Sequence, residues 1–467
     1  MRKHYRFSLF IVVVILVSLL GVNLTFAQET GNSSPSNLID TNADQPWTSQ
    51  FVHQVSYPDD VGKYASLGLR PFDDLPYISY YDAANGNLML AHWAPNTGNC
   101  GTNNNWQCEV LDGDNGDDVG SFSSLDFWAD DATQTWKIGI SYHDTTNGAL
   151  KFITWSCTPQ VCTLHKIYTI QAAPFDFVSH GLYTSLKFAI DGTPIIAYYM
   201  AYSLGDDLLY YVYYRESAGN CGESPDEGEW QCDIIDAGEG VGQYVSLDLT
   251  YDGTPYLAYY DADNGNLKLA NYWGLTDFDC YENNGWECPI IDAVGAVGSY
   301  ASLVMQRFST DKLYRIAYYD ASTDTLKYTD QDLEPHVVDD MGNNTSPLGI
   351  SMNLDGDGYP VIAYRQIALE TSMLKVARLY IAFNDGNFGN CGEVPPGYIF
   401  LLWRCSVLDN GGQYLEEAQY ASVAIKSNGM PLIAYSEFYN VDVGDHATSL
   451  KFASQYFQSV LPIVNKP

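Results

Sequence analysis

Positive charge is scarce in this 467-residue chain. Twenty-two Lys and Arg stand against 57 Asp and Glu, a formal net charge of −35. No basic stripe is present, which excludes nucleic acid as a partner, because phosphate binding needs clustered Lys and Arg. Polyanionic glycans are disfavoured on the same ground. Cationic partners, calcium and neutral sugars stay open, and colloidal solubility alone is a sufficient reason for so acidic a chain. Unpaired cysteine is also missing. The ten Cys fall into five close pairs: Cys100 with Cys108, Cys157 with Cys162, Cys221 with Cys232, Cys280 with Cys288, and Cys391 with Cys405. No pair comes with convergent Cys or His, so disulfides in an oxidising compartment are expected rather than metal thiolates.

The N-terminus explains how such a chain would reach that compartment. Arg2, Lys3 and Arg6 precede an apolar run from Leu9 to Val22, and Thr25-Phe26-Ala27 supplies a small-residue cleavage site. Residues 1–27 therefore read as a secretory signal peptide. The run is also long enough for an uncleaved anchor, the one membrane attachment in view. No Cys follows it, which argues against a lipoprotein anchor. Residues 28–46 are polar and rich in Ser, Asn and Asp, and read as a disordered linker. A secreted or cell-surface location follows.

From residue 47 to 457 the chain repeats one unit. Its clearest copy runs from Tyr244 to Asp292, with apolar runs at Leu247–Thr250, Tyr256–Tyr260, Leu267–Trp273 and Trp286–Ile291. Turn signals separate them, and Asn264-Gly265 suggests a two-residue hairpin. The unit is a four-stranded antiparallel meander, strands a to d. A Ser in strand a recurs as Ser66, Ser124, Ser185, Ser246, Ser302, Ser351 and Ser422, at spacings of 49 to 71 residues. A Tyr near the end of strand b recurs as Tyr80, Tyr142, Tyr198, Tyr259, Tyr318, Tyr364 and Tyr435. Seven such repeats predict an all-β, seven-bladed β-propeller with almost no helix. The last repeat has no strand d, while Trp47–Val52 aligns with Trp286–Ile291. The N-terminal strand should thus complete the seventh blade and close the ring. Each Cys pair spans a c–d connection.

Strand direction puts the d–a loops and b–c turns on one face, where three rings of side chains can be placed. The first lies two residues before each Ser: Tyr64, Phe122, Tyr183, Tyr244, Tyr300 and Tyr420, with Gly349 as the exception. The second is the Ser ring. The third closes strand b and includes Tyr81, Asp82, Asp144, Tyr260, Asp261, Tyr319, Asp320 and Arg365. Aromatic faces beside carboxylates suit pyranose stacking and hydroxyl hydrogen bonds. Packing between blades and turn capping are the structural alternative for the same residues. His143 and His180, beside Tyr183, suggest base and acid of a polysaccharide lyase, although Lys and Arg to neutralise a uronate are scarce on this face. Asp112, Asp114, Asp117 and Asp118, with Gly between them, suit a hard cation such as calcium, without the full spacing of an EF-hand. No other cofactor is implied.

The stretch Ser246–Ala270, with SL…DGTPYLAYYDADNGNLKLA, resembles a repeat of secreted bacterial proteins of the form SLALDxxGxPHISYYDxxNGDLKYA. That resemblance implies a seven-bladed propeller related in shape to sialidases and fucose-binding lectins. It brings no active residues. The sialidase box Ser-x-Asp-x-Gly-x-Thr-Trp is absent, and no arginine triad can be placed on one face. Residues 458–467 form an apolar tail, Val460-Leu461-Pro462-Ile463-Val464 within it, that resembles the endings of some secreted bacterial proteins. The expected function is a non-enzymatic binding or scaffold module with a glycan or cell-surface protein as partner. A polysaccharide-degrading enzyme and a protein-interaction propeller are the alternatives. Oligomeric state is not encoded in any feature above.

Overall fold

The repeat unit folds as four antiparallel strands wherever it occurs. The computed structural model describes residues 47–455 apart from 57, 114, 160, 275–279, 282–284, 307–311, 343–348, 369–370, 382–388, 395–400, 411–414 and 443–444. The expected signal peptide (1–27), linker (28–46), tail (458–467) and Asp114 lie outside the described residues. Blade 1 is Val61–Leu69, Pro76–Asp82, Asn87–Trp93 and Trp106–Asp112. Blade 2 is Val119–Asp130, Thr135–Asp144, Ala149–Cys157 and Cys162–Gln171. Blade 3 is Val178–Phe188, Pro194–Tyr202, Asp207–Tyr214 and Trp230–Gly238. Blade 4 runs Val241–Leu249, Pro255–Asp261 and Asn266–Tyr272. Its fourth strand is split into Trp286–Glu287 and Ile290–Asp292 by Pro289, which has no N–H for the ladder. Blade 5 is Val297–Met305, Tyr314–Asp320, Thr325–Asp330 and His336–Asp340. Blade 6 is Ile350–Leu354, Pro360–Ala368, Thr371–Ile381 and Leu401–Asp409. A lone parallel bridge, Ser372 to Glu416, links it to blade 7.

Blade 7 is closed by the N-terminus. Leu415–Ile425, Pro431–Asp442 and Asp445–Gln455 supply three strands, and Trp47–His53 pairs antiparallel with the third, Trp47 opposite Gln455. Among the described residues helix is confined to short 3-10 pieces, the turn Thr102–Asn104 and Tyr281, and no helix is long and apolar enough to cross a membrane. One local expectation is corrected. The b–c connections are four-residue loops, because Asp82 pairs with Asn87 and Asp261 with Asn266. Gly86 and Gly265 close these loops with φ of 70° and 67°. The first residues of each loop are held instead by the Asp at the end of strand b.

Three sets of contacts hold blade to blade. Each ring Ser accepts a hydrogen bond from the next blade's strand a. The donors are the N–H groups of Leu125, Leu186, Leu247, Leu303, Met352, Val423 and Leu67, at 2.9–3.0 Å, and the last closes the circle on Ser422. The strand-b Tyr are fully buried and point at the end of the preceding blade's strand d. Tyr142, Tyr259, Tyr318, Tyr364 and Tyr435 donate to Asp112, Asp236, Asp292, Asp339 and Asp409 at 2.5–2.7 Å. A strand-c lysine joins each: Lys151, Lys268, Lys327, Lys375 and Lys451. At the other two junctions acid and lysine are both replaced. Tyr80 meets His53 Nδ1 at 2.9 Å with Met89 in the lysine position, and Tyr198 meets Gln171 with Tyr210 there. A buried lysine without its carboxylate would be an uncompensated charge, so the two change together.

The disulfide loops form the third set. Bonds join Cys100 to Cys108, Cys157 to Cys162, Cys221 to Cys232, Cys280 to Cys288, and Cys391 to Cys405, and no free cysteine is present among the described residues. Cys157 and Cys162 stand opposite each other and join strand c directly to strand d. The other four bonds tie the c–d loop to strand d. Cys108, Cys232 and Cys405 lie inside strand d, and Cys288 lies between its two segments in blade 4. Their partners lie in the loop, because the longer loops fold back on strand d. Cys100 bridges Trp106, Cys221 bridges Trp230 and Cys391 bridges Trp403, each two residues before the second Cys of its pair.

In three blades the loop reads Gly-Asn-Cys-Gly. Asn99, Asn220 and Asn390 each grip the backbone of Cys108, Cys232 and Cys405 through both amide atoms, at 2.7–2.9 Å. Two of these loops then pair with the outer strand of the preceding blade: Gly222 N–H donates to Ile170 O, and Glu393 N–H to Val337 O. The outermost edge is thereby covered. The closed loops span 5 to 14 residues. Each is expected to contribute about 2–3 kcal/mol in the loop-entropy model. Thermal melting with and without reductant should show reduction lowering the transition. A chain with Cys391→Ser and Cys405→Ser should lose more than one with Cys157→Ser and Cys162→Ser.

Candidate functional site: an aromatic mouth on the axis

The first ring becomes a continuous arc. Tyr64, Phe122, Tyr183, Tyr244, Tyr300 and Tyr420 all sit in the left-handed backbone region, with φ between 52° and 55°. Two register shifts at the start of strand a put them there: Val61 opposes Asp82, Lys63 opposes Tyr81, and Ser66 opposes Ser79. The first shift falls at Gly62, also at positive φ, and a side chain there would meet Leu450 of the preceding blade at 3.0 Å. Gly120, Gly181, Gly242 and Gly298 repeat that approach on Leu88, Leu150, Leu209 and Leu267.

Neighbouring rings touch around the axis. Centroid separations are 4.6 Å for Tyr420–Tyr64, 4.5 Å for Tyr64–Phe122, 4.8 Å for Phe122–Tyr183, 4.5 Å for Tyr183–Tyr244 and 4.2 Å for Tyr244–Tyr300. Gly349 takes the seventh place, with φ 102° and the Tyr420 and Ala421 backbone against its Cα. The tyrosines fall into two groups of interacting rings, Tyr420 with Tyr64, and Tyr183 with Tyr244 and Tyr300. Phe122, lacking a hydroxyl, separates them. Burial raises the phenols of Tyr64, Tyr183, Tyr244 and Tyr420, Tyr183 to about 12, so these four are neutral at physiological pH. The rings are half-buried.

A second tier of aromatics backs the arc. Tyr81, Tyr199 and Tyr260 lie 5.9–6.4 Å from Tyr64, Tyr183 and Tyr244. The structure directs the hydroxyl of Tyr81 to Asp118 at 2.6 Å, of Tyr199 to Asp207 at 2.7 Å, and of Tyr319 to Asp324. The carboxylates of the third ring face their own turns. Asp82, Asp144 and Asp261 are buried and accept from the backbone and side-chain amides of Asn85, Asn147 and Asn264. Asp320 accepts from Ser322 N–H and lies 3.5 Å from Lys327. Arg365 is buried, its Nε donating to Ser372 Oγ at 2.7 Å. Sequence reasoning therefore finds the rings, and the structure divides them. Aromatic surface remains at the mouth, while the acids are engaged in holding turns and blades.

The two histidines are brought together and enclosed. His143 and His180 are 4% and 6% exposed. His143 Nδ1 donates to the His180 carbonyl at 2.7 Å, and His180 Nδ1 lies 3.1 Å from Tyr198 Oη. Loss of solvation lowers both imidazole pKa values, and His143 lowers that of His180 further, to about 4. Both rings are thus neutral at pH 7 and clip blade 2 to blade 3.

The acidic loop is distributed rather than convergent. Asp112 Oδ2 serves Tyr142 and Lys151, Asp117 accepts from Asn115 Nδ2 at 2.6 Å, and Asp118 from Tyr81. Among the described residues no group of three or more His, Cys, Asp or Glu is arranged to hold a metal ion.

No family model matches the chain, and no curated protein does. Among solved structures it is similar to the fucose-specific lectin of the fungus Aleuria aurantia, at 14% identity over 75% of this chain and 100% of that one, with a TM-score of 0.41. The polysaccharide lyase Uly1 matches at 10% identity over 86% and 91%, TM-score 0.39. Drosophila Plexin A in complex with Semaphorin 1b matches at 8% over 87% and 88%, TM-score 0.32. Identities and scores this low bear on no ligand.

Proposed function

We propose that the chain is an extracellular, non-enzymatic binding propeller whose axial mouth takes a neutral glycan. The observation that carries this reading is the arc of six aromatics in left-handed backbone. A bulky residue there costs about 1–2 kcal/mol that glycine would not, and blade 6, with Gly349 at φ 102° and no register shift in strand a, does without an aromatic. Strained, repeated aromatics gathered at one end of the axis support use of the rings themselves. Their faces suit the apolar side of a pyranose, and the neutral hydroxyls suit its oxygens. The shortage of Lys and Arg argues against uronates and sulfated chains. Five disulfides fit an oxidising, extracellular setting.

A glycan array probed with the secreted chain and with Tyr244→Gly tests this. Glycine relieves the backbone strain at φ 54° but removes a ring packed on Tyr183 and Tyr300, so the variant should melt below the parent, and near-ultraviolet circular dichroism confirms that it folds. Its affinity for the selected neutral glycan should fall at least about tenfold, the scale of one aromatic contact. Unchanged binding by Tyr244→Gly, or an array with no neutral glycan on it, would remove the proposal.

A further inference from the structure

A second site lies on the opposite face, at the junction of blades 3 and 4. On that face the ends of strand c and the starts of strand d of neighbouring blades meet. At this junction the crevice between them opens to about 530 Å³, against about 150 Å³ between blades 5 and 6. Its walls are Tyr211, Tyr213, Tyr272, Tyr281 and Trp286, with the carboxylate of Asp233 among them. The rings are inclined to one another. Tyr211 lies 5.7 Å from Tyr213 and 5.1 Å from Trp286, the latter at 61°, and Tyr272 lies 5.5 Å from Trp286, also at 61°. Tyr272 is 45% exposed, so the crevice is open to solvent.

The repeat shows which of these residues the fold does not demand. Tyr213 pairs with the residue three before the buried strand-b Tyr, and the same strand-c position elsewhere holds His92, Thr154, Asn271, Asp330, Arg378 and Ser454. A tyrosine there belongs to blade 3 alone. Asp233 follows Cys232, whose disulfide ties strand d to the loop before it, and Tyr281 follows Cys280 of the next blade's disulfide. An acceptor held on a strand in this way loses little freedom on binding. Asp233 Oδ1 is further held by Gln231 Nε2 at 2.7 Å. Burial, Asp233 and Tyr272 together raise the Tyr211 and Tyr213 phenols, which keeps both hydroxyls protonated as donors. Among the described residues no Lys or Arg lines the crevice.

We infer that this crevice is a binding site for a neutral pyranose, separate from the axial mouth. Several aromatic faces, neutral phenol donors and one carboxylate acceptor match a sugar ring with an apolar face and a fringe of hydroxyls. A uronate or phosphate would meet the Asp233 carboxylate in the crevice, Arg215 lying near Tyr213 but outside the lining, and a purely apolar guest would leave the polar tips unmatched. The inference does not depend on the mouth.

Saturation-transfer NMR on the secreted chain tests it, with the methyl glycosides of glucose, galactose, mannose, fucose and xylose, and methyl glucuronide, as probes. At least one neutral glycoside should receive saturation and methyl glucuronide should not. Tyr213→Ala and Asp233→Asn should each weaken that binding about tenfold or more, whereas Tyr251→Ala, a 70% exposed aromatic outside the crevice, should leave it unchanged. Near-ultraviolet circular dichroism confirms that each variant folds, and the half-exposed position of Tyr213 favours that. Binding that survives both crevice substitutions, or that is lost in Tyr244→Gly alone, belongs to the mouth and overturns the second site. Saturation of no neutral glycoside, or equal saturation of methyl glucuronide, overturns it as well.

Discussion

Asp292→Ala should destabilise the propeller by about 3–5 kcal/mol, and a compensating change at Lys327 should recover most of it. Asp292 Oδ2 accepts from Tyr318 at 2.7 Å and from Lys327 Nζ at 2.7 Å, with both charged side chains nearly sealed from water. Removing the acid leaves a buried ammonium and a buried phenol without their acceptor. Asp320, 3.5 Å away, is already held by its turn and relieves the lysine only in part. The chain itself supplies the neutral solution. Blade 3 uses Gln171 to receive Tyr198, and blade 1 has Met89 in the lysine position while Asp82 still holds its turn through Asn85. A chain with both Asp292→Gln and Lys327→Met should therefore unfold in urea within about 1.5 kcal/mol of the parent, giving a coupling energy of at least about 2 kcal/mol. Additive losses would show that the triads are not energetic units.

The period of the repeat carried most of the fold. Alternating apolar residues and turn signals give strands, seven repeats give a ring, and the unmatched N-terminal strand gives its closure. The same pattern also shows where the rings fall, because strand direction alone assigns residues to a face. It does not say what a ring side chain touches. Ser66 and its equivalents look like surface hydroxyls in sequence, yet each receives a backbone N–H from the next blade. The Asp of the Asp-x-x-Asn-Gly turns reads in sequence either as a sugar-binding carboxylate or as a turn cap, and in the structure it closes a four-residue loop. A signal was present: Asn three residues after the Asp marks a side chain able to meet that carboxylate.

Other site features required alignment of departures rather than of likenesses. The joint replacement of acid and lysine, at His53 with Met89 and at Gln171 with Tyr210, is visible once strand ends are superposed. It identifies Asp112 as one member of a Tyr–Asp–Lys set. Five of the six left-handed aromatics are foreshadowed by a Gly two residues before them, as in Gly62-Lys63-Tyr64, where a Cβ would meet the preceding blade; Tyr420 follows Ala418, and blade 7 makes the same two register shifts without it. Tyr213 was legible as an odd member of the run Tyr210–Tyr214. Its neighbours Tyr272 and Trp286 come from the next blade and meet it only through the stacking of repeats.

Removal of the closing strand should have the largest effect of any short deletion. A secreted chain that begins at residue 54 loses Trp47–His53, and with it the ladder to Asp445–Gln455. Val52, fully buried, packs in one cluster with Trp106 and Phe452, so the loss opens the core between blades 7 and 1. His53 can no longer meet Tyr80, which leaves a fully buried phenol without its partner. Thr102 of the blade 1 disulfide loop loses the Phe51 N–H that docks it. The strand edge so exposed is a template for association with a second chain. The shortened chain should therefore melt more than about 6 °C below the parent, a loss of at least about 5 kcal/mol for a domain of this size, and should self-associate in sedimentation. A peptide covering residues 44–56, added in trans, should raise the transition and restore the monomer, whereas the same peptide with Val52→Asp should not. A shortened chain that melts within about 3 °C of the parent would mean that the ring is held by its seven Ser hydrogen bonds and disulfide loops without the closing strand.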